Sequence, residues 1–371
     1  MEGIRQITPH LAQLGVQTTV ACLDPPESPW LHGQSFASVG LGPVRSGYGY
    51  LKGLPKIFYE LAIHNDVVII HGIWQYHSFA AWRAFNKTQI PYFVYPHGML
   101  DPWFKRTYPL KHLKKCAYWP WADYRVLRDA VSVLFTTEQE RVLARESFRL
   151  YQANECVIGY GTSSPPSSID FPRDLFFSRF PELLGKRILL FLGRIHPKKG
   201  VDLLIQAFSE VACSDIRLHL VIVGPDQIGW QRSLQQLADT LRVADRITWT
   251  GMLSGDLKWA AYRSAELFCL PSHQENFGIS VAESLACGLP VAIADSVNIS
   301  TEVARAGAGL VHQANQRSTT EALRHWLSLT PLQQATMGHR ALQLFSSNFD
   351  LASVSHRLFV RMQQALHPSS I

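Results

Sequence analysis

Residues 271–295 read PSHQENFGISVAESLACGLPVAIAD. Pro271 and Ser272 close a short apolar run, LFCLPS (267–272), which has the composition of a buried strand. Phe277 and Gly278 then turn the chain into a helix that stops at Cys287–Gly288, and the next strand, PVAIAD (290–295), follows at once. Strand, loop, helix, strand in so few residues is a βαβ unit, and so implies a parallel sheet covered by helices. It also aims a helix N-terminus at the carboxyl end of that sheet. There the unpaired N–H groups and the positive dipole end suit an anion such as a diphosphate. Gly278 lets backbone approach a ligand closely. Glu283, inside the helix, suits a ribose diol rather than a phosphate, and Glu275 on the loop is placed to reach sugar hydroxyls.

Upstream, FLGRIHPKKGVDLLIQAF (191–208) repeats the pattern. A strand ends at Gly193, and Arg194, Lys198 and Lys199 precede Gly200 and an amphipathic helix. Arginine offers a fork to phosphate oxygens and lysine a point charge, and both stabilise a departing diphosphate.

The alternation extends over the chain. Strands are predicted at 17–24, 66–72, 91–98, 131–137 and 155–161, then at 187–193, 217–224, 246–251, 267–272 and 290–295. The segment 162–185, rich in Pro and Ser, breaks the rhythm and reads as a linker. The expected organisation is an α/β chain of two doubly wound domains facing a cleft. An N-terminal domain spans 1–165, a linker 166–185 and a C-terminal domain 186–349, with a last helix at 350–367 returning to the first domain. Residues 2–14 already look like the first helix of a doubly wound domain, so its first strand and Gly-rich loop are expected to be missing, as from a start codon placed too far downstream.

Composition fits this reading. Hydrophobic residues make up 47% and charged residues 17% of 371, which excludes a disordered chain. No apolar run has the 18 residues of a membrane span, and the N-terminus lacks a signal-peptide core, so a cytoplasmic location is expected. The six cysteines form no CxxC pair and read as reduced, mostly buried thiols. The net charge of +6 is concentrated at 101–128, where seven Lys and Arg face two Asp among seven Trp, Tyr and Phe. Such a window suits either a helical hairpin with core aromatics or contact with an anionic membrane surface, with nucleic acid not expected.

Arg194, Lys199 and the Glu275–Glu283 pair around Asn276-Phe277-Gly278 resemble the retaining nucleotide-sugar glycosyltransferases of the family 4-like, group 1 type. The segment PHGMLDPWFKR (96–106) resembles their exopolysaccharide-type members. The resemblance implies the GT-B fold, built of two Rossmann-like domains. It implies that Arg194 and Lys199 hold the donor diphosphate after Gly193, and that Glu275 meets the donor sugar with the backbone of Asn276, Phe277 and Gly278. It gives the ribose to Glu283 and the nucleobase to Gly251 and Met252. His97 would face the donor sugar, while His71 and Trp74, ending the preceding strand, lie on the acceptor side, Trp74 as a stacking platform.

The expected function is transfer of a hexosyl group to a glycan or polyprenyl-linked glycan in cell-surface or exopolysaccharide synthesis. No metal or other cofactor is expected, because no DxD cluster ends a strand. The enzyme would work in the cytoplasm, peripheral on the inner face of the membrane. The alternative, motivated by the missing first strand, is an inactive subunit that binds nucleotide sugars. A nicotinamide dehydrogenase is disfavoured, since no GxGxxG follows a strand.

Overall fold

The computed structural model describes residues 2–44, 46–86, 88–166 and 174–367. The chain divides into two compact units. The first runs to Tyr160 and includes the segment from Leu351 onward, and the second is Gly161–Asp350.

Six strands belong to the first unit: β1 (Thr19–Cys22), β2 (Ala37–Gly40), β3 (Val68–His71), β4 (Tyr92–Tyr95), β5 (Ser132–Phe135) and β6 (Glu155–Val157). β1 and β2 form a two-stranded parallel sheet, and β3 to β6 form a parallel sheet in sequence order. Side chains alternate across β4 and β5. Val94, Val133 and Phe135 pack among Trp82, Phe85, Val126 and Leu127 on one face. Phe93, Tyr95 and Leu134 pack on the other, against Leu11 of the opening helix Glu2–Gln13 and Val354, Leu358 and Met362 of the closing helix Leu351–Leu366. Arg357 and Arg361 tie that last helix down, donating to the Ile158 carbonyl at 2.8 Å and to the Ser132 hydroxyl.

The second unit carries β7 (Arg187–Leu192), β8 (Leu218–Val223), β9 (Ile247–Gly251), β10 (Leu267–Leu270), β11 (Val291–Ala294) and β12 (Gly309–His312). They form one parallel sheet in the order β12-β11-β10-β7-β8-β9. From β7 the chain winds outward to β9, then returns to β10 on the other side of β7 and winds the opposite way. The loops leaving β7 and β10 diverge to opposite sides of the sheet, and this reversal is where doubly wound sheets bind ligands. β8, β10 and β11 are buried along their whole length, as continuous apolar strands between two helical layers must be.

The structure differs from the sequence reading in two places. β2 and β12 were not among the expected strands, because ASVG and GLVH lack a run of β-branched residues. Of the expected linker, residues 167–173 lie outside the described residues. The rest is not an open connector: Asp174–Arg179 is a helix and Pro181–Leu183 a 3-10 turn, with Phe176 and Leu183 fully buried. Phe176 and Phe180, one helical turn apart with rings 5.1 Å from each other, give this segment apolar anchors that its Pro and Ser content hides.

Candidate functional site

At the reversal point of the second unit, the loop after β7 carries Gly193, Arg194 and Lys199, and the loop after β10 carries Glu275 to Gly278. Gly193 donates to the Val223 carbonyl at 2.9 Å, which holds the strand end. Arg194 is exposed and makes no hydrogen bond or ion pair among the described residues. Ile195 behind it is buried. The imidazole Nδ1 of His196 accepts from the Lys198 amide at 3.1 Å and caps the turn Pro197–Lys199.

The two loops are laced together. The Lys198 carbonyl accepts from the His273 amide at 2.8 Å and from the Ser272 hydroxyl at 2.9 Å. Gly200, at φ +66°, permits this approach: a Cβ there would lie 2.1 Å from the Pro271 carbonyl oxygen. Lys199 forms an ion pair with Glu275, both largely buried. Glu275 is pinned through its backbone, its amide donating to Ser296 at 3.1 Å and its carbonyl accepting from Asn298 at 3.0 Å. Phe277 turns inward edge-on to Phe349, 5.5 Å between ring centres, so the Asn276–Gly278 loop offers a ligand its backbone and not that ring. Gly278 caps the helix Ile279–Ala286 with φ +81°.

Glu283 lies on the buried side of that helix. Lys258 meets one of its oxygens at 2.6 Å, and the Tyr262 hydroxyl donates to the other at 3.0 Å. Neither partner was expected. The signal available was their i, i+4 spacing in GDLKWAAYR, which puts both on one face of the helix Gly255–Ser264. Gly251 ends β9 and Met252 follows it, two strands and about 10 Å from β7. Gly251 accepts from the Gly224 amide at 2.9 Å, and the Met252 side chain stands open to solvent. Arg194, Lys199, Glu275 and Gly278 are thus gathered on two adjoining loops, with Met252 outlying and Glu283 set behind.

In the first unit His71 ends β3 and His97 follows β4, its neighbour in register. His71 Nδ1 lies 3.0 Å from His97 Nε2, and both rings stack with Tyr95. Burial lowers the His97 imidazole to about 4. Burial, and then the adjacent His97, lower His71 still further, although part of that residue stays open to solvent. Both rings are therefore neutral near pH 7, one donating to the other. The His77 Nε2–H donates to the His71 carbonyl at 3.0 Å.

His97 sits at φ +49° and Trp74 at φ +73°, conformations side chains rarely adopt. Buried carboxylates hold both turns. Glu140 accepts from the Gly98 amide at 2.5 Å, and from the amide and hydroxyl of Thr136 at 2.8 and 2.5 Å. Asp123 accepts from the Trp74 amide and the Ser78 hydroxyl, both at 2.9 Å. Burial raises the Asp123 carboxyl to about 6, against these hydrogen bonds. The expectation of Trp74 as an open stacking platform is corrected. Lys115 lies 4.3 Å over its ring, Trp119 and Phe148 flank it, and its indole N–H is spent on the Met99 carbonyl at 3.1 Å. The aromatic surroundings that made Trp74 suit a sugar claim its faces instead.

The basic window 101–128 forms three helices, Trp103–Thr107, Pro109–Tyr118 and Asp123–Arg128. Trp119 is core, but Leu110, Leu113 and Trp121 are 78%, 68% and 69% exposed, among exposed Lys105, Arg106, Lys111 and Lys114. No helix among the described residues is long and apolar enough to cross a membrane.

Residues 173–341 match the family of glycosyl transferases group 1, and residues 2–161 match the glycosyl transferase 4-like domain. D-inositol 3-phosphate glycosyltransferase of Thermomonospora curvata is 33% identical over 183 residues, 45% of this chain and 42% of that protein. The protein of the same name from Mycolicibacterium smegmatis is 30% identical over 253 residues, 66% of this chain and 57% of that one. The chain thus spans about half the length, or less, of the curated relatives it matches. Among solved structures, sucrose-phosphate synthase from Thermosynechococcus elongatus has a TM-score of 0.77 at 18% identity, covering 99% of this chain and 93% of that one. A glycosyltransferase from Rickettsia africae has a TM-score of 0.79 at 15% identity, covering 99% and 95%. These likenesses carry the fold alone, which is GT-B with two Rossmann-like domains.

Proposed function

Since the chain belongs to the group 1 glycosyltransferases, we propose that it moves a hexosyl group from a nucleoside-diphosphate sugar to a glycan or lipid-linked glycan, with retention of configuration. The observation that carries this reading is the uncommitted guanidinium of Arg194, on the same loop as Lys199, laced to the loop bearing Glu275 and the helix end at Gly278. Fixed positive charge at a sheet reversal point suits a diphosphate leaving group, because it is in place before charge develops.

In the proposed reaction the bond from the sugar's anomeric carbon to the diphosphate oxygen breaks. The acceptor oxygen bonds to the same face of that carbon, and its proton passes to the departing diphosphate. Arg194 and Lys199 stabilise the growing negative charge, while Glu275, held by Lys199, orients the sugar hydroxyls. Glu283 takes the ribose with the lone pairs that Lys258 and Tyr262 leave, and Met252 lies under the base. His97 and His71 serve the reacting sugar and the acceptor as neutral hydrogen-bonding groups. No metal is needed in this scheme.

The protein would act in cell-surface or exopolysaccharide synthesis, at the cytoplasmic face of a membrane that the exposed leucines and lysines of 101–128 engage. Thermal melting against a panel of nucleotide sugars tests the donor reading. A matching donor raises the midpoint by mass action, and no response to any of them refutes it. The anomeric configuration of the product, read by proton NMR, tests retention.

A further inference from the structure

A hollow of about 50 Å³ opens in the first unit between the helix Pro109–Tyr118 and Phe148. Lys111, His112 and Lys115 line it from successive positions on that helix, with Phe104, Tyr108 and Phe148 as its apolar walls. The basic side chains are held on aromatic faces. The Lys115 ammonium is 4.3 Å from the Trp74 ring centre and 5.6 Å from that of Phe104. Lys111 is 5.0 Å from Tyr108, and the His112 ring stacks 4.7 Å from Phe148. Cation–ring contacts leave the N–H donors unspent.

Lys111 and Lys115 are one turn apart, a like-charge arrangement that costs stability, and among the described residues neither forms an ion pair with a carboxylate. Asp101, also at the rim, spends an oxygen on the Trp103 amide at 2.8 Å, and Asp123 is taken by Ser78 and Trp74. Burial lowers the Lys115 ammonium, with the Asp123 carboxylate opposing and Lys111 adding to the shift. Burial followed by Lys105 and Lys115 lowers the His112 imidazole, which leaves that ring a neutral hydrogen-bonding group near pH 7. A single buried water needs about 10–15 Å³. The hollow therefore takes about as many heavy atoms as a phosphate group, and not a sugar ring.

We propose that this hollow binds the phosphate group of a phosphorylated acceptor, gripped by Lys111, His112 and Lys115, with the rest of the acceptor lying toward His71. The direction is set by Met99, which lines the hollow and accepts the Ile73 amide on its sulfur at 3.3 Å, beside the turn after β3. That the phosphate belongs to an acceptor rests on the glycosyltransferase reading, but the anion site does not. A sugar phosphate and a phospholipid headgroup share the chemistry.

Isothermal titration of the full chain with glucose 6-phosphate, inorganic phosphate and glucose tests the site. Both phosphates bind, and glucose does not. Lys111→Gln, on the exposed surface, and Lys115→Gln each weaken binding by about tenfold or more, the effect of one charge-assisted hydrogen bond. Lys114→Gln, on the same helix outside the hollow, has no effect. Equal affinity across the three variants overturns the proposal. If vesicles containing phosphatidic acid bind in a Lys111- and Lys115-dependent way and soluble phosphates do not, the phosphate comes from a lipid. If neither binds, the site is refuted. A nucleotide-sugar melting shift in the same variants reports on the second unit separately, so failure of the donor reading and failure of this site are told apart.

Discussion

The ion pair between Lys199 and Glu275 joins the two side chains on which the proposed chemistry rests. Replacing Lys199 by Ala leaves a largely buried carboxylate unpaired and removes charge from the diphosphate. Turnover should fall roughly 100-fold, the scale of one electrostatic stabiliser. Glu275→Gln keeps hydrogen bonding to sugar hydroxyls but loses the charge pairing, so donor hydrolysis and transfer rates measured on both variants separate the two roles. A near-wild-type rate for Lys199→Ala removes it from the mechanism. The histidine pair makes a second prediction. Both imidazoles have pKa values below the unfolded value near 6.5, so between about pH 4 and 6.5 the unfolded chain binds more protons than the native one. Stability then rises with pH across that window and is lost on acidification. His97→Asn, which tolerates the positive φ, should flatten the dependence of the urea midpoint between pH 7 and 5, and an unchanged slope contradicts neutral burial. That Arg194, Lys199 and Glu275 would fall on loops at strand ends was legible because their motifs are local in sequence. Glu140 and Asp123 were not, since each carboxylate supports a turn more than 40 residues away in sequence.

At the scale of the element, the helix Pro109–Tyr118 has two faces with different tasks. Lys111, His112 and Lys115 turn toward the hollow, while Leu110, Leu113 and Lys114 are exposed. The sequence suited either a helical hairpin with core aromatics or a membrane contact, and did not show that Leu110 and Leu113 would stand exposed. Combining Leu113→Ser with Lys114→Glu should weaken sedimentation with phosphatidylglycerol vesicles several-fold and leave phosphate-ester binding intact, and undiminished sedimentation dismisses the membrane role. The parallel strands were legible as long apolar runs. The helix at Asp174–Arg179 was misread because composition averages over a segment, whereas burial is decided by a single Phe176 at the right turn.

At the scale of the whole molecule, the first unit is discontinuous: the second unit is inserted between Tyr160 and Leu351. Val354, Leu358 and Met362 cover Phe93, Tyr95 and Leu134, and full burial of such side chains contributes about 1.5–3 kcal/mol each. A chain ending at Asp350 should therefore lose the protection of the β3–β6 amides from hydrogen exchange and keep that of β7, β8 and β10, which have their own core. Retained protection throughout contradicts this. The same insertion has a consequence for biosynthesis. At about 5–20 residues per second, the ribosome spends on the order of 10–40 s on the second unit before the last helix exists. During that time one side of the first sheet has only the opening helix over it on the nascent chain, and the apolar surface awaiting Val354, Leu358 and Met362 gives holding chaperones a defined place and moment to act.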